Sequence, residues 1–441
     1  MEIAGIAHVV KNQTKIYLII LLKAKKTGNT YSFLALYPQK IFMQKNLSFT
    51  LAILLIVGLF CSCNTNKEVK NDVSYQLVLQ DSAYIPVDSL TPFTGNDLQY
   101  VKAGEKEYVV LLNKRINAIQ IYSWQSKEML KRIYLEKEGP NGVGEATYMF
   151  VHSLDSIFVL TSYLYKVSLV NAEGKLLQKY SLLSKSVKFD ESKGYAPKVS
   201  ENDYAGLPWG GVNAMFVANN ELYMGCVPSI NPFIKEHYER GLLGMKVNLA
   251  TKQIDYFMPF PRIYRDKMFF PLGYTHSTSC YNPIKNTLVY SFPCDAKVYE
   301  MDLNTNKIVS YLANSSYFKE IEIFSTNPAE DPNRAEKEFD FAISHASFER
   351  IRYDPYRKIY YRNILLPNTK KKEENDWHPF LVCNYIILDE NFKTLGEVQL
   401  PEHVGTSYYF VNEEGLFLQG LSRNEDEICF YRYELVKGNK P

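Results

Sequence analysis

The stretch Glu138–Leu182, EGPNGVGEATYMFVHSLDSIFVLTSYLYKVSLVNAEGKLLQKYSL, decides how the chain is read. It opens with a glycine-rich turn, Gly139 to Gly144, and continues through β-type runs at 148–152, 156–160 and 165–170. The polar turn Asn171-Ala172-Glu173-Gly174 leads into a fourth run, Lys175 to Leu182. Four short antiparallel strands in about 45 residues make one small sheet that cannot bury both faces alone, so it must stack on copies of itself.

Copies are present. A strand, a polar turn ending at or near lysine, and a second apolar strand recur with marker lysines 127, 175, 252, 307 and 393. Asn, Asp and Gly in these turns tolerate the positive φ that tight hairpins require. A further hairpin precedes each copy, around 109–113, 151–160, 215–224, 281–292 and 351–364. A sixth unit begins at Ser407-Tyr408-Tyr409-Phe410-Val411 and ends one strand short, while Tyr75-Gln76-Leu77-Val78-Leu79-Gln80 stands unassigned near the other end. Pairing those two segments closes a ring and leaves no unmatched blade. The expectation is an all-β fold, a six-bladed β-propeller over 73–437 closed by its N-terminal and C-terminal strands. The unequal lysine spacing places insertions at 183–211, 227–243, 258–275, 313–346 and 366–379. Residues 331–347 read as a helix with Pro332 near its start and Phe339, Ala342 and Ile343 as its buried stripe.

The composition agrees: 34 Tyr and 25 Phe against 3 Trp in 441 residues favour pleated, half-buried surfaces. Residues 1–62 carry seven lysines and one glutamate; the remainder holds 43 basic and 47 acidic residues. A slightly acidic domain has no general electrostatic pull toward nucleic acid, which is set aside as a partner.

Residues 43–62 have the layout of a secretory signal peptide, with Lys45 ahead of the 14-residue apolar core Leu47–Phe60. That core is short of the roughly 20 apolar residues a membrane-spanning helix needs. Ser62-Cys63 has the form of a lipoprotein junction, with Cys63 the acylated residue and 63–72 a linker; Phe60 and Cys61 depart from the usual aliphatic and small residues. Asn64 is not the aspartate associated with inner-membrane retention, which favours an outer-membrane lipoprotein, facing the periplasm or the surface. Residues 1–42 precede this signal and are expected to be a disordered or loosely helical extension without function. Five cysteines remain downstream (226, 280, 294, 383 and 429), an odd number without a CxxC pair, and read as buried free thiols.

Signal, Ser-Cys junction, the Glu138–Gly144 turn and the run Arg352-Tyr353-Asp354-Pro355-Tyr356-Arg357 with Tyr360-Tyr361-Arg362 together resemble a family. It is an uncharacterised, domain-of-unknown-function family of Bacteroidetes lipoproteins with a TolB-like six-bladed β-propeller, similar in turn chemistry to NHL repeats. The resemblance covers roughly residues 70–437 and implies a fold and an address in the cell envelope, with no catalytic residue to carry over.

Candidate functional residues come from position. His276, His345 and His403 fall just before inner strands of the fourth, fifth and sixth units, where three imidazoles could converge on the axis. Arg350 and Arg352 share one strand face and suit a carboxylate. Asn141 sits in the glycine turn, whose amides could form an anion nest, and Trp209 ends a polar insertion where it could stack on a sugar. GxSxG, HExxH, P-loop and dinucleotide motifs are missing, and no cofactor or metal is implied. The sequence therefore points to a lipid-anchored envelope propeller acting as a ligand- or protein-binding module, its partner an envelope protein or a glycan. The alternative is a glycan hydrolase or lyase with its site at the channel mouth.

Overall fold

A computed structural model describes residues 2–12, 15–26, 29–38, 73–92, 97–183, 187, 205–209, 213–266, 274–322, 324, 333–367, 382–401, 404–420 and 424–439. Two units are distinct, 1–71 and 72–441. In the first, β1 (Glu2–Asn12), β2 (Lys15–Lys26) and β3 (Asn29–Pro38) form an antiparallel sheet, with Glu2 opposite Lys25 and Lys26 opposite Asn29. This corrects the expectation of a disordered or helical extension. Runs such as Ile16-Tyr17-Leu18-Ile19-Ile20 have strong strand preference, and only two residues separate successive strands, as in tight hairpins. The signal segment and Cys63 lie outside the described residues.

The second unit is a six-bladed β-propeller. It starts with β4 (Val73–Pro86), which belongs to the last blade. Blade 1 is β5 (Asp97–Ala103), β6 (Lys106–Asn113), β7 (Ala118–Ser123) and β8 (Met129–Tyr134). Blade 2 is β9 (Tyr148–Ser153), β10 (Ser156–Thr161), β11 (Lys166–Val170) and β12 (Leu176–Ser181). Blade 3 adds a strand: β13 (Gly206–Trp209) and β14 (Phe216–Ala218) both pair with β15 (Glu221–Pro228), followed by β16 (Leu242–Asn248) and β17 (Ile254–Pro259). Blade 4 is β18 (Thr278–Asn282), β19 (Thr287–Ser291), β20 (Lys297–Asp302) and β21 (Ile308–Leu312). Blade 5 is β22 (Ser347–Asp354), β23 (Ile359–Leu365), β24 (Cys383–Leu388) and β25 (Thr394–Gln399). Blade 6 is β26 (Val404–Val411), β27 (Leu416–Gly420) and β28 (Glu427–Asn439), completed by β4, with Tyr75 opposite Lys437 and Ser82 opposite Tyr431. The first propeller strand thus becomes the outermost strand of the last blade, and the ring is fastened where the sequence left one strand over.

Local chemistry explains the recurring hairpin. The side chain of Asn171, Asn248, Asp302 or Asp389 accepts from backbone N–H groups two to four residues on, at 2.8–3.1 Å. The turn then passes through the left-handed region at Gly174, Lys252, Asn306 and Phe392, and at Lys127 in blade 1. The marker lysine is therefore at or next to the residue of positive φ, and the polar residue that opens the turn holds the loop shut.

What binds the blades is visible in the apolar clusters, each of which straddles a seam. Val110 and Ile121 pack with Met149 and Val159. Phe158 and Val167 meet Leu222 and Met245; Phe216 and Tyr223 meet Leu288 and Tyr290. Val289 and Val298 meet Tyr353 and Tyr360, while Tyr361 and Tyr385 meet Tyr409 and Leu418. The sixth cluster joins the last blade to the first, where Trp124 lies edge-on to Phe410, Phe417 and Phe430. Each blade uses both faces, so no single sheet is stable without its neighbours. Gly396 is required at one seam: a Cβ there would sit 2.0 Å from the carbonyl oxygen of Tyr75 on β4.

The insertions carry α1 (Lys235–Arg240), α2 (Arg262–Asp266) and α3 (Arg334–Ser344). The α3 stripe differs from the expected one. Phe339 is 39% exposed, and Phe341 with Ala342 packs on the blade 3–4 core instead. Arg334 pairs with Glu338 on the helix, and His345 at its end bonds the Phe341 carbonyl. Residues 334, 338, 341, 342 and 345 form one continuous helical face, so the phase is set by Phe341.

Candidate functional site: the central channel

The innermost strand of every blade contributes to one cavity of about 430 Å³ on the propeller axis. In a blade, alternate side chains of the inner strand face the axis and the others face the seam. On β22 this alternation is explicit. Ile351 and Tyr353 are buried in the blade 4–5 seam, while Arg350 and Arg352 are half-buried and line the cavity.

Blade 1 supplies the acidic wall. Asp97 is buried, and its Oδ2 accepts from the Met149 N–H at 3.0 Å, tying β5 to β9. Gln99 repeats that bridge, donating to the Val151 carbonyl at 3.0 Å and accepting from the Val151 N–H at 2.8 Å. Burial pushes the Asp97 carboxyl up to about 6, against the Met149 N–H and the charges of Lys114 and Arg350. Tyr148 stands beside this group under the ammonium of Lys114, 4.5 Å from its ring centre. Its pKa is raised by burial and then by Asp97, and lowered by Arg350.

Blade 5 supplies the basic wall. Arg350 lines the cavity and acts electrostatically on Asp97 in blade 1, Tyr148 in blade 2 and Tyr409 in blade 6. Its backbone N–H donates to Asn363 Oδ1 at 2.8 Å, and Asn363 in turn donates to Glu349 at 2.7 Å. Glu349 lies 4.0 Å from the Arg350 Nε. The Arg352 guanidinium lies 4.4 Å from the ring centre of Tyr409; burial pushes the nearby Cys280 thiol up to about 12, with the charge of Arg352 opposing. No ion pair to Arg352 occurs among the described residues, and its buried Nε has no hydrogen-bond partner there.

Aromatic rings and small polar groups fill the remaining arc. Phe216 stacks on Tyr281 at 4.0 Å, and Tyr100 stacks on Phe410 at 5.1 Å. Ser279 donates to Asn213 at 3.1 Å and accepts from the Ala214 N–H, locking blade 3 to blade 4. At the other end of the inner strands Lys102 is paired with Glu413 at 2.5 Å, and Tyr100 donates to Glu107.

Of the other residues singled out from sequence, none of those described lines the cavity. His276 and His345 do precede inner strands but are not among the residues lining the cavity. His345 bonds Phe341 O and Ser344 at the end of α3, and His276 acts on His237, a ring held between Tyr238 and Phe260. His403 lies outside the described residues. The backbone turns before each inner strand sit at the rim, so a histidine there need not reach the axis. Asn141 is also away from the cavity. Three amides of its turn are spent internally, Gly142 on Gly139 O, Val143 on Glu136 O and Gly144 on Lys137 O. Trp209 stands on β13 opposite Gly225, on blade 3. Among the described residues no three His, Cys, Asp or Glu side chains group as a metal site. The five described cysteines are buried free thiols. Asp97, Tyr148, Tyr100 and Tyr281 were not anticipated. The usable signal was polar or tyrosine residues at alternate positions of an inner strand, and β5 was not recognised as a strand.

The architecture and the axial cavity define the class: a six-bladed β-propeller with a closed ring and a channel lined from all six blades. A family model described as a domain of unknown function (DUF4221) matches residues 74–399, and the chain belongs to that family. A crystal structure of a family member from Bacteroides vulgatus superposes with a TM-score of 0.69 at 21% identity, covering 83% of this chain and 99% of that one, which shows the common fold. A virginiamycin B lyase from Staphylococcus aureus aligns over 82% of this chain and 99% of its own at 10% identity, with a TM-score of 0.40 too low to bear on function. Comparison with the curated proteins finds no match. No described helix is long and apolar enough to cross a membrane.

Proposed function

We propose that the chain is a lipid-anchored cell-envelope binding module whose propeller channel holds a small polar ligand. The observation that carries this reading is the cavity itself, of about 430 Å³ and built from the inner strands of all six blades. Ligand sites typically occupy some 300–1,000 Å³ and combine apolar walls with a few convergent polar groups. Aromatic rings from all six blades and charged groups on blades 1 and 5 meet that description. Filling the space tests it. Ala214→Trp on the blade 3 wall should abolish the thermal shift given by any small polar compound that stabilises the wild-type chain. Retained stabilisation at equal occupancy places the ligand elsewhere.

The envelope part of the reading rests on the Leu47–Phe60 core and the Ser62-Cys63 junction. Cys63 carries the lipid, the outer membrane is the destination, and an envelope protein or a glycan is the partner. Cys63→Ser should eliminate incorporation of labelled palmitate and release the chain from the membrane fraction; unchanged labelling refutes the anchor.

One observation favours the catalytic alternative, a carboxyl of raised pKa in a cavity beside a tyrosine, which suits acid–base work near neutrality. Glycoside hydrolysis by the common route needs two facing carboxyl groups, and Asp97 is the one carboxyl among the described lining. Binding is the better supported reading.

A further inference from the structure

Resting on the channel-binding reading, we infer that the ligand is a small organic acid: Arg350 and Arg352 receive its carboxylate, and the aromatic arc receives a cyclic body. Among the described lining, three cationic side chains (Lys102, Arg350 and Arg352) stand against one carboxyl, Asp97. Lys102 is already committed to Glu413 at the far end of the strands. Arg350 has Glu349 and Asp97 in its surroundings. Arg352 differs. Its charge is half-buried against the Tyr409 ring with no carboxylate in pairing distance among the described residues, and its Nε is buried without a partner there.

A half-buried guanidinium without an anion is partly desolvated, a cost that a bound carboxylate offsets. The two arginines are two residues apart on one strand face, so both forks reach one side of the channel. A planar fork matches a carboxylate in two parallel hydrogen bonds, whereas a lone ammonium would not set orientation. Further round the same cavity, Tyr148, Phe216 and Tyr281 supply an aromatic wall for a flat or puckered ring. Asp97, on blade 1, acts as an internal competitor: its carboxylate shares the field of Arg350 and excludes a second negative charge from that side.

The probes are benzoate and D-glucuronate, with benzamide and D-glucose as neutral counterparts, titrated into the full chain by ligand-observed NMR at pH 7.5. Each acid should bind about tenfold or more tightly than its neutral counterpart, the scale of one charge-assisted pair. Arg352→Gln should erase that preference, Arg352→Lys should retain part of it, and Asp97→Asn should tighten acid binding severalfold. Circular dichroism confirms that each variant is folded. If Arg352→Gln does not fold, the Asp97→Asn change alone decides, and unchanged or weaker acid binding in it overturns the inference. Neutral probes binding as well as the acids, with Arg352→Gln without effect, overturns the acid assignment and leaves the channel as a ligand site. Failure of all four probes overturns both.

Discussion

Replacing Arg362 should destabilise the propeller more than any single surface change, because the seam between blades 4 and 5 is built around it. The side chain lies on β23 and is fully buried. It donates from Nε to Ser291 Oγ at 2.9 Å. It also donates to four carbonyls of blade 4: Asp295 at 2.7 Å, Ala313 at 2.8 Å, Ala296 at 3.1 Å and Lys297 at 3.3 Å. The guanidinium also lies 3.5 Å from the centre of the Phe348 ring. Burial pulls its pKa down to about 9, with Asp295 opposing, so the group remains charged at neutral pH. Arg362→Met keeps the length and the packing but leaves these acceptors without a donor. An orphaned buried acceptor costs roughly 1–3 kcal/mol, partly offset because a buried charge no longer has to be desolvated. The expected net loss is about 3–5 kcal/mol, the range for breaking a buried charged network. Arg362→Lys keeps the charge with three non-planar donors and should lose about 2 kcal/mol. Urea unfolding followed by circular dichroism measures both, with the slope checked for constancy so that the midpoint shift reads as stability. A change below about 0.5 kcal/mol in Arg362→Met, the scale of an ordinary surface substitution, would show that the seam is held by apolar contact alone.

Two further outcomes follow from the same structure. Asp97 has a folded pKa above its unfolded one, so between pH 4 and 6 the folded chain binds more protons and stability must fall as pH rises through that window. Asp97→Asn retains an acceptor for the Met149 N–H. It should flatten this slope and raise stability at pH 7.5 by about 1–3 kcal/mol; an unchanged pH profile refutes the buried carboxylate. Gly396→Val places a side chain against the Tyr75 carbonyl. It should separate β4 from blade 5 and lower the melting temperature by several degrees, with amide exchange accelerating first in 73–86; uniform exchange argues against that close approach.

The blades were legible because turn chemistry repeats. Asn171, Asn248, Asp302 and Asp389 open the hairpins with the same side-chain bonds, and those bonds are local, so sequence carries them. Closure was legible as an arithmetic remainder, one strand over near the N-terminus and one missing from the last unit, and the pairing of β28 with β4 supplies it. The strand β5 was not, since Asp97-Leu98-Gln99-Tyr100-Val101-Lys102-Ala103 has no clean alternation; its polar residues face a channel that exists only once six blades meet. The arginine pair was found by strand alternation, a rule that survives folding, whereas the histidines were placed by their distance from inner strands, which says nothing of rim or axis. In α3 the phase was misjudged for a related reason. Phe339 and Phe341 are equally apolar, and which of them is covered depends on Tyr274 and Phe324, contributed by distant loops.

The most direct measurement is anomalous diffraction from crystals of the chain soaked in 4-bromobenzoate. The expected result is a bromine peak inside the channel among Tyr148, Phe216 and Tyr281, with the carboxylate turned toward Arg350 and Arg352. A fully occupied bromine site on the blade exteriors, with an empty channel, would contradict it.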